Sequence, residues 1–150
     1  MKPLGDCQTI LIVDDSDDDY DATVRALRRG EKSNHPLHRC QNGREALDYL
    51  YGRRAYAAPN NVSRPGIMLL DLNMPGIDGR EVLATVKNDP DLRSIPIVIL
   101  TNSGHRRDID DCYELGANTY IQKPLDLHRF FDMMQGLKDY WFKTAALPGT

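Results

Sequence analysis

The sequence is poor in cysteine, which excludes a domain held together by disulfide bonds. Three cysteines occur in 150 residues, Cys7, Cys40 and Cys112, and they are far apart. An odd, sparse set is typical of reduced thiols in the cytoplasm. Because no CxxC motif or cysteine–histidine cluster is visible, we predict no zinc site. We expect Cys40 and Cys112 to behave as small buried apolar residues.

Long apolar runs and a strong charge of one sign are also missing. No apolar run approaches the ~20 residues of a membrane-spanning helix, and the first residues, MKPLG, form no signal segment. The formal net charge of −3 argues against nucleic acid or an anionic membrane as the main partner. Nucleotide-binding loops of the GxGxxG and GxxxxGK(S/T) types do not occur. We therefore expect a cytoplasmic protein without a nucleic-acid or membrane partner.

The sequence does contain enough apolar residues for one core, since 41% of the chain is hydrophobic. Continuous apolar segments rich in β-branched residues predict buried strands at residues 9–13, 66–72 and 95–101. Two weaker strand candidates lie at residues 36–41 and 118–122.

Helical patterns separate these strands. Apolar residues at helical spacing, together with end signals such as Asn42, Gly52 and Gly116, mark the helices. The predicted helices lie at residues 17–29, between Asn42 and Gly52, at 79–88, at about 106–115, and from Leu127 to Trp141. The alternation predicts an α/β fold, with a five-stranded parallel sheet and five helices on its two faces.

Side chains that can do chemistry stand where the predicted strands end. They are Asp14, Asp15, Asp71, Thr101 and Lys123. Because the carboxyl ends of parallel strands meet at one edge of a sheet, we expect these groups to converge. Crowded carboxylates repel one another unless a cation binds among them, and a set of oxygen ligands suits Mg²⁺. The acidic strand ends thus predict a magnesium site.

The same groups are suited to phosphoryl transfer. A carboxylate can act as a nucleophile and form an aspartyl phosphate. Lys123 would add a positive charge for the incoming phosphoryl group, and Mg²⁺ would neutralise the charge that develops there.

Four motifs together resemble the receiver domains of two-component response regulators. They are VDD at 13–15, LLDLNMPGIDG at 69–79, ILT at 99–101 and YIQKP at 120–124. The resemblance extends from about residue 9 to residue 141 and implies a CheY-like sheet with the strand order 2-1-3-4-5. It implies a phosphoprotein that accepts a phosphoryl group from a sensor histidine kinase, rather than an enzyme that turns over a small substrate.

The resemblance also assigns the residues of the metal site. Asp71 would be the phosphoacceptor, and Asp14 and Asp15 the acidic pair that binds Mg²⁺ (or Mn²⁺). Asp71 and the backbone carbonyl of Asn73 would complete the site.

Further residues would sense and tune the phosphoryl group. Lys123 would contact it, with a cis peptide bond before Pro124. Thr101 would be the switch hydroxyl, and Tyr120 the switch aromatic, which turns inward and reshapes an interaction surface.

One departure from the family concerns the residue after the switch threonine. This residue is usually small in receivers, and here it is Asn102. Asn102 would either narrow access to Asp71 or form a hydrogen bond near the phosphoryl group. Asn73 and Ser103 also stand where the family tunes hydrolysis of the acyl phosphate, so we expect the three residues to set its lifetime.

The resemblance divides the chain into an N-terminal extension at 1–8, a receiver domain at 9–143 and a C-terminal tail at 144–150, without an output domain. The stretch 51–66 is too long for an ordinary connection and predicts an extended surface loop. This loop and the aromatic ending resemble regulators that partner phytochrome-type histidine kinases and often dimerise. Onward transfer to a histidine phosphotransfer protein and binding to a separate effector both stay open.

Three adjacent aromatic residues, Tyr140, Trp141 and Phe142, follow the last helical pattern. They cannot all face one core stripe, so some should be exposed unless a second chain covers them. We interpret them as contacts of a homodimer, with packing inside the domain as the alternative.

The main rival interpretation is a Mg²⁺-dependent phosphatase of the haloacid-dehalogenase type, which also uses an aspartate nucleophile. Asp15-Ser16-Asp17 matches its DxD motif superficially, but Asp71-Leu72-Asn73 lacks the second acid. A DNA-binding regulator is disfavoured because no helix-turn-helix follows residue 141.

The remaining polar residues receive plainer interpretations. Four acids stand at the start of the helix predicted at 17–29, where they would interact favourably with the helix dipole and face solvent; they are Asp17, Asp18, Asp19 and Asp21. The histidines are placed in loops or on helix surfaces with no catalytic role; they are His35, His38, His105 and His128.

Overall fold

Five parallel strands form one sheet in the order β2-β1-β3-β4-β5. The strands are β1 (Ile10–Val13), β2 (Leu37–Cys40), β3 (Ile67–Leu70), β4 (Ile97–Thr101) and β5 (Thr119–Gln122). This is a computed structural model, and it describes residues 8–30, 35–59 and 63–148. Cys7, residues 1–7 of the predicted extension and residues 149–150 of the predicted tail lie outside the described residues. The predicted fold class and strand order are confirmed.

Five α-helices connect the strands: α1 (Asp17–Arg28), α2 (Gly43–Tyr51), α3 (Gly79–Asn88), α4 (Arg106–Leu115) and α5 (Leu127–Lys138). Helix α2 begins where the Asn42 side chain accepts a hydrogen bond from the Glu45 amide, at 2.8 Å. It ends at Gly52, which adopts the left-handed conformation with φ 64°. Among these helices none has the length and apolar character needed to cross a membrane.

The sheet is covered on both faces, and each face has its own core. Leu11 and Val13 belong to one core together with residues of α2 and α3, whereas Ile10 and Ile12 belong to the other, together with residues of α1 and α5. This split follows from the alternation of side chains along a strand. Strands buried on both faces are continuously apolar, which is why the sequence reveals them so clearly.

The segment after α2 is partly structured rather than a plain loop. A 3₁₀ turn, Arg54–Tyr56, follows Gly52, and residues 60–62 lie outside the described residues. The Tyr49 hydroxyl donates to the Ser63 carbonyl at 3.0 Å, which ties the far end of the segment to α2.

The C-terminal aromatic residues have different environments. Helix α5 continues into a π-helical turn, Asp139–Thr144. Phe142 is buried against the His35 ring, with 5.3 Å between the ring centroids, whereas Tyr140 is 55% exposed. Phe142 is therefore a core residue, which corrects its assignment as a dimer contact: the chain's own α1 side already covers it. Leu147, in the predicted tail, is buried in the same core.

The cysteine prediction is confirmed where the structure describes it, since Cys40 and Cys112 are free and fully buried. The placement of one histidine was wrong, since His38 lies within β2. His35 lies outside the helices and strands, as predicted, although it is buried at 7% exposure. An apolar pattern could not reveal β2 fully, because the first three of its four residues are only half-buried.

Candidate functional site

Three carboxylates meet at the carboxyl edge of the sheet. Val13 and Leu70 are partners across the neighbouring strands β1 and β3, so the residues that follow them are brought side by side. Asp14, Asp15 and Asp71 each present an oxygen atom, and these atoms all lie within 4.8 Å of one another. Asp14 and Asp71 are buried, whereas Asp15 is exposed. This set of hard oxygen donors, open on one side, has the chemistry to hold a divalent cation.

Lys123 reaches these carboxylates from the end of β5. Its Nζ atom lies 2.9 Å from Asp14 Oδ2, 3.3 Å from Asp19 Oδ2 and 3.9 Å from Asp71 Oδ2. The lysine is 7% exposed, which is unusual for this residue type and requires such partners. One ammonium group faces several carboxylates, so the site keeps an excess of negative charge.

The pKa directions follow from this crowding. Burial raises the pKa of Asp71, and Asp14 adds to the rise, while Lys123 offsets part of it. Burial alone would lower the pKa of Lys123, but Asp14 and Asp71 raise it above its ordinary value. Lys123 therefore stays charged. Any further cation near Asp71 would stabilise the negative charge of its carboxylate.

The two predicted switch residues lie on β4 and β5. Thr101, at the end of β4, is fully buried, and its hydroxyl helps to lower the pKa of Asp71 through hydrogen bonding. The Tyr120 ring is half-buried against the core that contains Leu11 and Val13, and its hydroxyl donates to the Ser103 carbonyl at 2.8 Å. Tyr120 thus occupies an inward position, joined to the loop that follows Thr101.

A polar clamp fixes this loop to two helices. The Ser103 hydroxyl donates to Asp108 Oδ2 at 2.5 Å, and Asp108 forms an ion pair with Arg80. Arg80 lies in α3 and Asp108 in α4. The clamp therefore connects both helices to the loop after Thr101, whose Ser103 carbonyl also accepts the Tyr120 hydroxyl. The structure places the Ser103 hydroxyl on Asp108, a partner that sequence spacing could not identify.

The two asparagines lie at the open side of the site. Asn73 is exposed in the loop after β3. Asn102 is also exposed and lines a cleft of about 240 Å³ together with Asp19, Lys123 and Leu125. Asn102 thus borders the same cleft as Lys123, whose Nζ atom lies 3.9 Å from Asp71 Oδ2.

The predicted cis bond before Pro124 is wrong. Among the described residues the cis peptide bond is Ala58–Pro59, and Lys123–Pro124 is trans. An X–Pro bond prefers trans by about 0.5–1 kcal/mol. With the trans bond, Lys123 already reaches its carboxylate partners.

Two functional contacts were missed at the sequence level. Asp19 was interpreted as a solvent-facing acid, but the first turn of α1 carries it to Lys123. Arg39 was not considered; it donates to the Asp14 carbonyl at 3.2 Å and to Asp17 at 2.7 Å. Both contacts depend on how α1 and β2 pack beside β1, which no local pattern encodes. For the Arg39 contact, the sequence offered one signal: Arg39 lies on β2, the strand that pairs with β1, and Asp14 follows β1.

Comparison with known proteins agrees with this geometry. The response regulator receiver domain family matches residues 10–135. The chain belongs to this family. It is 39% identical over 141 residues to response regulator Rcp1 of Synechocystis, covering 94% of this chain and 93% of Rcp1. The rival interpretation as a phosphatase of the haloacid-dehalogenase type is not supported by these matches.

Solved receiver structures are also similar to the whole sheet and its helices. The phosphorylated cyanobacterial phytochrome response regulator RcpA has a TM-score of 0.89 at 39% identity, covering 95% of this chain and 99% of RcpA. The Mn²⁺-bound form of Rcp1 has a TM-score of 0.87 at 39% identity, with the same coverage of 95% and 99%. The chain is thus a receiver-domain response regulator of a two-component system.

Proposed function

We propose that Asp71 accepts a phosphoryl group from a sensor histidine kinase, with a bound divalent cation. The observation that carries the proposal is the placement of Lys123 Nζ 3.9 Å from Asp71, beside carboxylate oxygens that lie within 4.8 Å of one another. In the transfer, an Asp71 oxygen forms a bond to phosphorus while the bond between phosphorus and the donor nitrogen or oxygen breaks.

Asp14, Asp15 and Asp71 would hold the cation, Mg²⁺ or Mn²⁺, with the Asn73 carbonyl as a further ligand. When bound, the cation neutralises charge on the phosphoryl oxygens. The donor set fits this role because it consists of oxygens, which hard cations prefer. That Rcp1 has a Mn²⁺-bound form supports the assignment by similarity.

The other side chains orient and tune the adduct. Lys123 stays charged and pairs with a phosphoryl oxygen as its bonds to Asp14 and Asp19 loosen. Thr101 donates to another phosphoryl oxygen and draws the loop with it. Asn73 and Asn102, both exposed beside the site, set how readily water reaches the acyl phosphate.

The donor is a histidine kinase, and we favour one of the phytochrome type. The similarity to a phytochrome response regulator supports this choice. The output is a change in protein binding rather than turnover of a small substrate, with a histidine phosphotransfer protein or a separate effector as receiver of the signal. We further propose a homodimer with contacts at Tyr140 and Trp141, which the 55% exposure of Tyr140 supports. We place this homodimer in the cytoplasm.

Intact mass measured after incubation with acetyl phosphate tests the proposal. We expect a gain of one phosphoryl group that depends on Mg²⁺ and is lost in Asp71→Asn. Asp132→Asn, at an exposed position in α5, is the matched control and should be labelled like the wild type. Full labelling of Asp71→Asn would refute the assignment of the phosphoacceptor.

A further inference from the structure

A second cluster of potential metal ligands lies beside β2, apart from the phosphoacceptor site. His38 and Cys40 alternate along β2 and therefore point to the same face of the sheet. Glu45 faces them from the first turn of α2, which the Asn42 cap holds in place. One donor atom from each of the three side chains lies within 4.8 Å of the other two.

The three donors are an imidazole nitrogen, a sulfur and a carboxylate oxygen. Mixed sets of this kind suit zinc and neighbouring transition metals, whereas Mg²⁺ and Ca²⁺ require oxygen ligands. The backbone positions are rigid, because one side of the cluster is a strand paired with β1 and the other is a capped helix. Cys40 is fully buried, and His38 and Glu45 are half-buried, so the cluster is shielded but can still be reached.

We propose that His38, Cys40 and Glu45 bind a transition-metal ion of the zinc class. Three protein ligands leave a fourth position for water in a tetrahedral site. Binding replaces the proton on the Cys40 sulfur with the metal, so one proton is released for each ion bound.

The Tyr56 hydroxyl forms a hydrogen bond with one member of the cluster. It lies 2.8 Å from His38 Nε2, and it belongs to a short 3₁₀ turn rather than to the sheet or a long helix. An ion that binds His38 through Nε2 therefore displaces the Tyr56 hydroxyl from this nitrogen. A purely structural role would explain the stacking of His38 on Tyr49, at 4.7 Å between centroids. The Cys40 thiol also hydrogen-bonds with Glu45 and Tyr56, so the bound ion would replace this small network of hydrogen bonds.

The experiment is a titration of the full, reduced chain with Co²⁺, with excess Mg²⁺ present to occupy the carboxylates around Asp71. A thiolate ligand produces a near-ultraviolet charge-transfer absorbance that oxygen ligands do not. We expect one Co²⁺ per chain, displaced by Zn²⁺, with the band lost in Cys40→Ser. Affinity should fall by at least about tenfold in Glu45→Gln and in His38→Gln.

Cys112→Ser and Cys7→Ser are the matched controls and should keep the band. Absence of a saturable band in the wild type, or its survival in Cys40→Ser, would overturn the proposal. Circular dichroism checks folding; if Cys40→Ser does not fold, unchanged Co²⁺ affinity in both Glu45→Gln and His38→Gln overturns the proposal instead. Labelling at Asp71 is measured separately, so failure at one site does not bear on the other.

Discussion

Replacing Lys123 with methionine tests the electrostatics of the phosphoacceptor site directly. The lysine side chain is 6% exposed, and its partner at 2.9 Å, Asp14, is 5% exposed. Removal of one partner from a buried pair leaves an uncompensated charge and typically costs about 3–5 kcal/mol. Asp19 is 37% exposed and contributes less, because water screens it. We therefore expect Lys123→Met to lower the free energy of unfolding by about 3 kcal/mol near neutral pH.

The pH dependence of this loss distinguishes an electrostatic effect from a packing effect. The pKa of Asp71 already lies above its ordinary value in the folded protein, so the folded state keeps a proton to higher pH than the unfolded chain. Stability from this group is therefore lost as pH rises through the folded pKa. Without Lys123 that pKa rises further, so the loss should be largest near pH 7 and should shrink as the pH falls toward about 5.

Urea unfolding of both proteins at the two pH values, with and without Mg²⁺, gives the measurement. Mg²⁺ should restore part of the stability of Lys123→Met, because it supplies a positive charge to the same carboxylates. Lys143→Met is the control, since Lys143 is 57% exposed and pairs with Asp139 at 3.4 Å in a surface i,i+4 bridge. Its effect should stay within about 0.5 kcal/mol. An equal loss in Lys123→Met at both pH values, unchanged by Mg²⁺, would refute the electrostatic argument.

Three further changes test the metal site, the polar clamp and the C-terminal aromatics. Asp15→Asn should weaken Mg²⁺ binding at least about tenfold in calorimetry, since one of three carboxylates loses its charge; unchanged affinity would exclude Asp15 as a ligand. Asp108→Asn should cost about 1 kcal/mol and speed amide exchange in residues 102–105, because Ser103 and Arg80 lose a charged partner. The proposed homodimer predicts a dimeric mass for the wild type in light scattering and a monomeric mass when Tyr140 and Trp141 are both replaced with serine; a monomeric wild type or an unchanged dimer would contradict these contacts.

The strands and the rim of the site were predictable because both follow from short-range patterns. Strands buried on two faces are continuously apolar, and the residues after them must meet at one edge of a parallel sheet. Asp14 and Asp71 could therefore be placed together from the sequence, although 57 positions separate the two residue numbers. The helix ends at Gly52 and Gly116 were predictable for a similar reason, since both adopt left-handed backbone angles that glycine tolerates best.

What sequence reasoning missed depends on contacts between elements. Asp19 belongs to the first turn of α1, and only the packing of that helix directs its carboxylate to Lys123. Phe142 looked like one of three similar aromatics, yet the π-helical turn carries it into the core while Tyr140 remains exposed. The ligand cluster at His38 and Cys40 was hidden because its third member, Glu45, lies beyond the strand, in the next helix.

The polar clamp of Ser103, Asp108 and Arg80 connects the loop after Thr101 to α3 and α4. Thr101 and Ser103 lie two residues apart, so in the proposed switch a movement of the Thr101 hydroxyl toward the phosphoryl group would also move the loop that carries Ser103. Ser103 holds Tyr120 through its carbonyl and Asp108 through its hydroxyl. Because Asp108 is paired with Arg80, the same small displacement would act on α4 and α3 together. In the proposed switch, a local change of charge at Asp71 would thus act on two helices through side-chain contacts alone.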